Sequence, residues 1–245
     1  MLALLRMLLI YVVLGVPTAL VGIPWSALRR NFDTMYGWGM GIMALGVKAA
    51  GIRIQLHGPE NIEPGTQYIF LSNHVSNLDP LVLLPNIPGM TSALLKRELI
   101  KIPLLGTALL MGKFVPVERG SSRETAEKNI ALAKDALNSG LHITVFPEGT
   151  RSPDGKLLPF KKGAFFLAEG TGAPIIPVII SGTRVMMPKG TLRIRPGVAH
   201  VTFLAPIRPQ EAASRDELMQ RVRCAMEEEL ERQRAGGYLT ISQAI

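Results

Sequence analysis

The sequence predicts an α/β fold: a mostly buried central sheet flanked by helices, with an N-terminal apolar helical hairpin for membrane attachment. Three observations carry that prediction. Short, almost wholly apolar runs alternate with longer segments of helical period, the pattern of strands covered on both faces. The 245 residues, 47% of them hydrophobic, suffice for a sizeable core and argue against disorder. Composition shifts near residue 50, which divides the chain into an apolar arm over 1–50, an α/β body over 51–235 and a tail over 236–245.

The arm opens with 22 uncharged residues from Met7 to Leu28, long enough to span a bilayer, but Pro17 and Pro24 interrupt them. Arg29, Arg30 and Asp33 follow, then 14 more uncharged residues from Thr34 to Val47, too few for a span. Two apolar arms joined by a basic turn read as a hairpin dipping into one leaflet. A single span and a cleaved signal peptide are the alternatives. Arg6 and the small residues near Ala19 favour the signal peptide, whereas nothing downstream is built for an oxidising compartment. Gly37 and Gly41 suit close helix packing in a membrane. Gly39-Met40-Gly41 falls in a nominal dinucleotide-loop pattern, but no strand precedes it.

In the body, residues 53–56 alternate polar with apolar side chains and form the first strand. Residues 68–71 form a short buried strand, and 92–95 and 114–117 two more, with a helix over 104–111 between them. Ala126, Ile130, Ala133 and Leu137 recur at helical spacing, so 123–137 is a helix that stops at Gly140. A strand over 142–146, a short helix over 164–169 and a strictly apolar strand over 175–180 follow. Residues 192–194 and 201–204 read as a late strand pair, and 215–234 as an amphipathic helix.

Charge is unevenly spread. The net charge is +8, which points to an anionic partner: nucleic acid, anionic lipid or a phosphorylated substrate. Residues 150–199 carry eight cations against two acids, and 86–119 five against two, whereas 211–234 hold five arginines against seven acids. Aromatic residues make up 6%, sparse for a protein that stacks bases, so the partner expected is lipid rather than nucleic acid. The single Cys224 excludes a disulfide framework and any multi-cysteine metal site, and no residue cluster calls for a metal.

The chemistry concentrates in Asn73-His74-Val75-Ser76-Asn77-Leu78-Asp79, directly after a buried strand, where open α/β sheets place their sites. A His needs only a small push to act as general base near neutral pH, and a carboxylate on its other ring nitrogen orients it. On one helix two residues five apart diverge by about 140°; in a loop followed by a turn His74 and Asp79 can face each other. The plainer alternatives are a loop histidine and, for Asp79, a helix N-cap with Pro80 behind it. Phe146-Pro147-Glu148-Gly149-Thr150-Arg151-Ser152 also leaves a strand end, with a glycine for close backbone approach and an arginine fork for phosphate. Gly112 to Arg119 places Lys113 and Arg119 around a short strand. Gly106 to Lys113 is one residue too long for a P-loop and has Phe114 where a hydroxyl must hold magnesium. No G-x-S-x-G elbow of a serine hydrolase occurs.

These blocks, with Ala173-Pro174-Ile175-Ile176-Pro177-Val178-Ile179, stand in the order of the four blocks of the glycerolipid acyltransferase family. The chain resembles that family, most of all its bacterial 1-acylglycerol-3-phosphate acyltransferases, apolar arm included. The resemblance implies that His74 takes the proton from a lysophospholipid hydroxyl as it attacks an acyl thioester, while Asp79 braces the imidazole, with no covalent acyl-enzyme. It implies that Lys113, Arg119, Glu148, Gly149, Thr150 and Arg151 bind the phosphate and glycerol of the acceptor. The product would be phosphatidic acid, made by acyl transfer from acyl-CoA or acyl carrier protein, co-substrates in place of any cofactor. Lysophosphatidic acid and a membrane surface are the other partners, at the cytoplasmic face of the inner membrane. Lys161 and Lys162 are candidates to attract the donor's phosphates or anionic headgroups, or form a solvated loop. His57, His142 and His200, without an acid at useful spacing, read as structural. Rival readings are transfer to glycerol 3-phosphate or to another lyso-lipid such as lyso-ornithine lipid, a hydrolase, and a non-catalytic membrane-binding protein.

Overall fold

The computed structural model describes residues 32–96, 115–117, 123–191 and 193–236. Seven strands form one sheet: β1 (Ile52–His57), β2 (Ile69–Ser72), β3 (Met90–Lys96), β4 (Val115–Val117), β5 (Leu141–Val145), β6 (Ile175–Ser181) and β7 (Gly197–Phe203). Their order across the sheet is β1-β7-β6-β2-β5-β3-β4. Every neighbouring pair is parallel except β6 with β7.

Parallel strands need crossover connections, and those crossovers cover both faces of the sheet. That is why β2 and β6 read as unbroken apolar runs. Tyr68 and Phe70 point into one core with Ile176, Val178 and Ile180, while Ile69 and Leu71 point into the other with Ile175 and Ile179. The first core is closed by α1 (Phe32–Ala49) through Val47 and by α2 (Asp79–Leu83) through Val82 and Leu83. The second is closed by α3 (Arg123–Asn138), α4 (Lys162–Thr171) and α6 (Arg215–Ala235) through Ala133, Phe165, Leu218, Val222 and Met226. Each fully buried aliphatic or aromatic side chain contributes about 1.5–3 kcal/mol, so these two layers hold the sheet between its helices.

Local signals match the element ends. Helix α3 stops ahead of Gly140, whose φ of 80° an L side chain rarely adopts. The start of α6 is capped by Ser214, whose side chain accepts from Glu217 N at 3.2 Å, while the Glu217 carboxylate accepts from Ala213 N.

The expected late strand pair is corrected: 201–204 belongs to β7, but residues 193–194 form no strand. Their backbone is drawn to a turn instead, with Arg193 N on Thr191 Oγ1 at 3.0 Å and Arg195 N on the Met186 carbonyl at 2.9 Å. Pro196 lacks the donor a ladder needs. Strand β7 pairs with β1 and β6 rather than with a hairpin partner. The second half of the expected arm is α1, which packs on α2 and β1 and reaches the core at Val47. Among the described residues no helix is long and apolar enough to cross a membrane. The first half of the arm and the helix expected over 104–111 lie outside the described residues.

Candidate active site

Strands β6, β2 and β5 lie side by side and parallel, so the loops leaving their carboxyl ends meet at one edge of the sheet. These are the loops that begin at Asn73, at Phe146 and at Gly182, the last leading into the short helix α5 (Thr183–Met186). Asn73 fastens the first to the third: its Nδ2 donates to the Ile180 carbonyl at 2.9 Å and its Oδ1 accepts from Ile180 N at 2.7 Å.

His74 Nδ1 lies 2.8 Å from Asp79 Oδ2. Asp79 is 0% exposed, and the same oxygen accepts from Val75 N at 2.7 Å and Ser76 N at 2.8 Å. Its other oxygen accepts from Thr183 Oγ1 at 2.6 Å. An N-cap carboxylate would turn forward onto the first turn of its own helix. Asp79 instead turns back onto the loop and binds residues three to five positions earlier, so it shapes the loop and holds the imidazole at once. With the carboxylate accepting, Nδ1 carries the ring proton and Nε2 keeps its lone pair. Among the described residues Nε2 has no hydrogen-bond partner, and the His74 side chain is 19% exposed. The ring stacks on Phe146 with centroids 4.2 Å apart.

Glu148 is placed differently from a residue that greets a ligand. It is 3% exposed, and both its oxygens are taken, by His74 N at 2.8 Å and by Leu158 N at 2.8 Å. Burial pushes its carboxyl above the ordinary carboxylate range, against the pull of those two amides. Its position supports a positioning role, since it grips the backbone of His74 while Asp79 holds the ring. Ser152 N completes the grip by donating to the His74 carbonyl at 2.7 Å.

Gly149 has φ 68°, a conformation L side chains rarely adopt, and the Lys161 side chain crosses close over it. Thr150 is exposed and Arg151 half-buried, and no described carboxylate pairs with Arg151. Lys162 is taken up by Asp216 at 2.8 Å. Lys113 and Arg119 lie outside the described residues. The structure thus brings His74, Asp79, Glu148, Gly149, Thr150 and Arg151 to one edge of the sheet. Thr183 is the functional residue that sequence reasoning missed. The signal for it is its place just past the end of a buried strand, in Ser181-Gly182-Thr183, as Asn73-His74 stands after β2.

The other histidines sit away from this edge. His142 Nδ1 accepts from Tyr68 N at 3.1 Å, and His57 Nε2 lies 3.2 Å from His200 Nδ1. Cys224 is exposed on α6. Among the described residues no three His, Cys, Asp or Glu side chains are grouped as metal ligands.

Comparison with known proteins identifies the family. The family model described as Acyltransferase matches residues 53–181. A 1-acyl-sn-glycerol-3-phosphate acyltransferase of Limnanthes alba is 34% identical over 185 residues, covering 76% of this chain and 64% of the relative. The human 1-acyl-sn-glycerol-3-phosphate acyltransferase alpha is 33% identical over 213 residues, covering 85% of this chain and 74% of the relative. The chain therefore spans a little under two thirds of the length of the plant relative. The crystal structure of the 1-acyl-sn-glycerophosphate acyltransferase PlsC from Thermotoga maritima superposes with a TM-score of 0.75 at 26% identity, covering 94% of this chain and 96% of that one. Matched by the family model over more than half its length and by relatives more than 30% identical, the chain belongs to the acyltransferase family.

Proposed function

We propose that this protein transfers a fatty acyl group from a thioester donor, acyl-CoA or acyl carrier protein, to the sn-2 hydroxyl of 1-acyl-glycerol-3-phosphate, giving phosphatidic acid. The observation that carries the reading is the 2.8 Å contact between His74 Nδ1 and a buried carboxylate, which leaves Nε2 with an available lone pair in a partly exposed cleft. Nε2 takes the hydroxyl proton as the oxygen attacks the thioester carbonyl. The C–O bond forms, the C–S bond breaks, and the proton on Nε2 passes to the departing thiolate. Asp79 stabilises the imidazolium between those two events, the role of the buried carboxylate in a serine-protease triad. The acceptor hydroxyl is itself the nucleophile, so no side chain need be acylated.

The names of the relatives support the acceptor and the reaction class. Lys113, Arg119, Thr150 and Arg151 supply the cations and donors a phosphomonoester needs. The enzyme works on the cytoplasmic face of the inner membrane, held by its apolar arm; the exposed Trp38 and Leu45 on α1 support that attachment.

The test is thiol release from acyl-CoA with a panel of lyso-acceptors, wild type beside His74→Ala. The expected result is release that depends on lysophosphatidate and falls about 10²–10⁴-fold in the variant, whose fold is retained. Release without any acceptor would instead mark a hydrolase, and undiminished turnover in His74→Ala would remove the imidazole from the mechanism.

A further inference from the structure

We propose that Arg184 and Arg234 form a phosphate subsite for the carrier end of the acyl donor, a pantetheine thioester bearing phosphate, on the inner side of the loop that holds His74. The inference rests on the acyl-transfer reading and adds a site to it. A cavity of about 180 Å³ lies between the end of β6, the carboxyl-terminal turn of α6 and the turn over residues 152–156. Val75, Ile180 and Leu230 give it an apolar floor, and the two arginines stand in its wall. Asn73 and Val75, the neighbours of His74 on either side, line it too, so a group seated there lies against the catalytic loop itself.

The pairing of the arginines on α6 sets Arg234 apart. On α6, Arg215 pairs with Glu169, Arg221 with Glu211, Arg223 with Glu227 and Arg232 with Glu229. Arg234 and Arg184 have no carboxylate partner among the described residues. Arg184 is nonetheless held in place: its Nη1 donates to the Pro153 carbonyl at 3.4 Å, and it lies close over Gly155. The acid in the lining, Asp154, is occupied by its own turn, where Oδ1 accepts from Ser152 Oγ at 3.0 Å and Lys156 N at 3.0 Å. Two guanidinium groups without a carboxylate partner, that of Arg184 held by a backbone carbonyl, stand beside an apolar hollow and suit an anion attached to an apolar stem. Arg193, Arg195 and Lys189 extend the positive field outward, with no acid between residues 183 and 200. A phosphate-bearing pantetheine has that chemistry. Of the two lysines considered for this task, Lys162 is already taken by Asp216.

The experiment compares acyl-CoA with S-acyl-pantetheine, which lacks phosphate, in the wild type and in Arg184→Gln, Arg234→Gln and Arg184→Lys. Each Gln variant is expected to raise KM for acyl-CoA about tenfold, the effect of losing one charge-assisted hydrogen bond, with kcat and KM for lysophosphatidate unchanged. KM for acyl-pantetheine should not move, and Arg184→Lys should recover part of the acyl-CoA affinity. Equal rises for both donors, a rise confined to lysophosphatidate, or no change at all would each overturn the subsite while leaving acyl transfer standing. Absence of acceptor-dependent thiol release in the wild type would bring down the acyl-transfer reading and the subsite with it.

Discussion

Replacing Asp79 by Asn separates the two tasks this carboxylate performs. The amide oxygen can occupy the Oδ2 position and still accept from His74 Nδ1, Val75 N and Ser76 N. The amide nitrogen then faces Thr183 Oγ1, which rotates from donor to acceptor. The loop keeps its shape and the charge disappears. Unit charges 4 Å apart interact by about 4 kcal/mol at an effective dielectric of about 20, and the native contact is shorter, at 2.8 Å. Discounting for the hydration each ion has given up leaves roughly 3–4 kcal/mol of imidazolium stabilisation, which is about 10²–10³-fold in kcat. Four charge-assisted bonds also become neutral ones, at a cost of about 2–4 kcal/mol in stability. Steady-state thiol release, run at a temperature where circular dichroism shows the variant folded, reads the first effect, and urea unfolding reads the second. A variant that is folded and turns over at the wild-type rate would refute the claim that Asp79 acts through its charge.

Other perturbations act on the supports of that pair. Thr183→Val strands a buried carboxylate oxygen; it should lower unfolding free energy by about 1–3 kcal/mol, with Thr183→Ser restoring most of it in urea titrations. Glu148→Gln leaves one of two amides, His74 N or Leu158 N, facing an NH₂ group, so stability should fall by about 1–3 kcal/mol and kcat should fall with it, while KM for either substrate stays near the wild type. Burial holds His142 and His200 below the ordinary 6.5, so below that pH the unfolded chain binds protons that the folded chain refuses. Stability therefore declines as pH falls through and below 6.5, and in His142→Gln, whose Oε1 can still accept from Tyr68 N, the acid-side slope of urea midpoints should be shallower.

What could be read beforehand divides along a physical line. Strands buried on both faces declare themselves as unbroken apolar runs, as β2 and β6 do, and a half-buried helix by its period, as α3 does. The His74–Asp79 pair was legible because five residues of loop carry both partners. Thr183 was not, because it meets Asp79 across 104 residues of chain and a lone threonine has no spacing to read. Glu148 shows the opposite failure: the residue was found but its direction was not, since nothing in Pro147-Glu148-Gly149 tells whether a carboxylate turns toward solvent or toward two buried amides. At residues 193–194 the expected strand gives way to a turn, in which the Met186 carbonyl takes Arg195 N.

Helix α1 is sewn to the body by Val47 in the core and by the Tyr36 hydroxyl accepting from Thr91 N at 2.9 Å, among other contacts. It leans on α2, whose first residue is Asp79. A chain begun at residue 51 would thus lose a wall of the first core, not merely a tether. The outward side chains Trp38 and Leu45, 52% and 53% exposed, stand on this same helix. If the proposed attachment through these side chains holds, α1 also fixes how far His74 stands from the surface, because the same helix leans on the element that begins at Asp79.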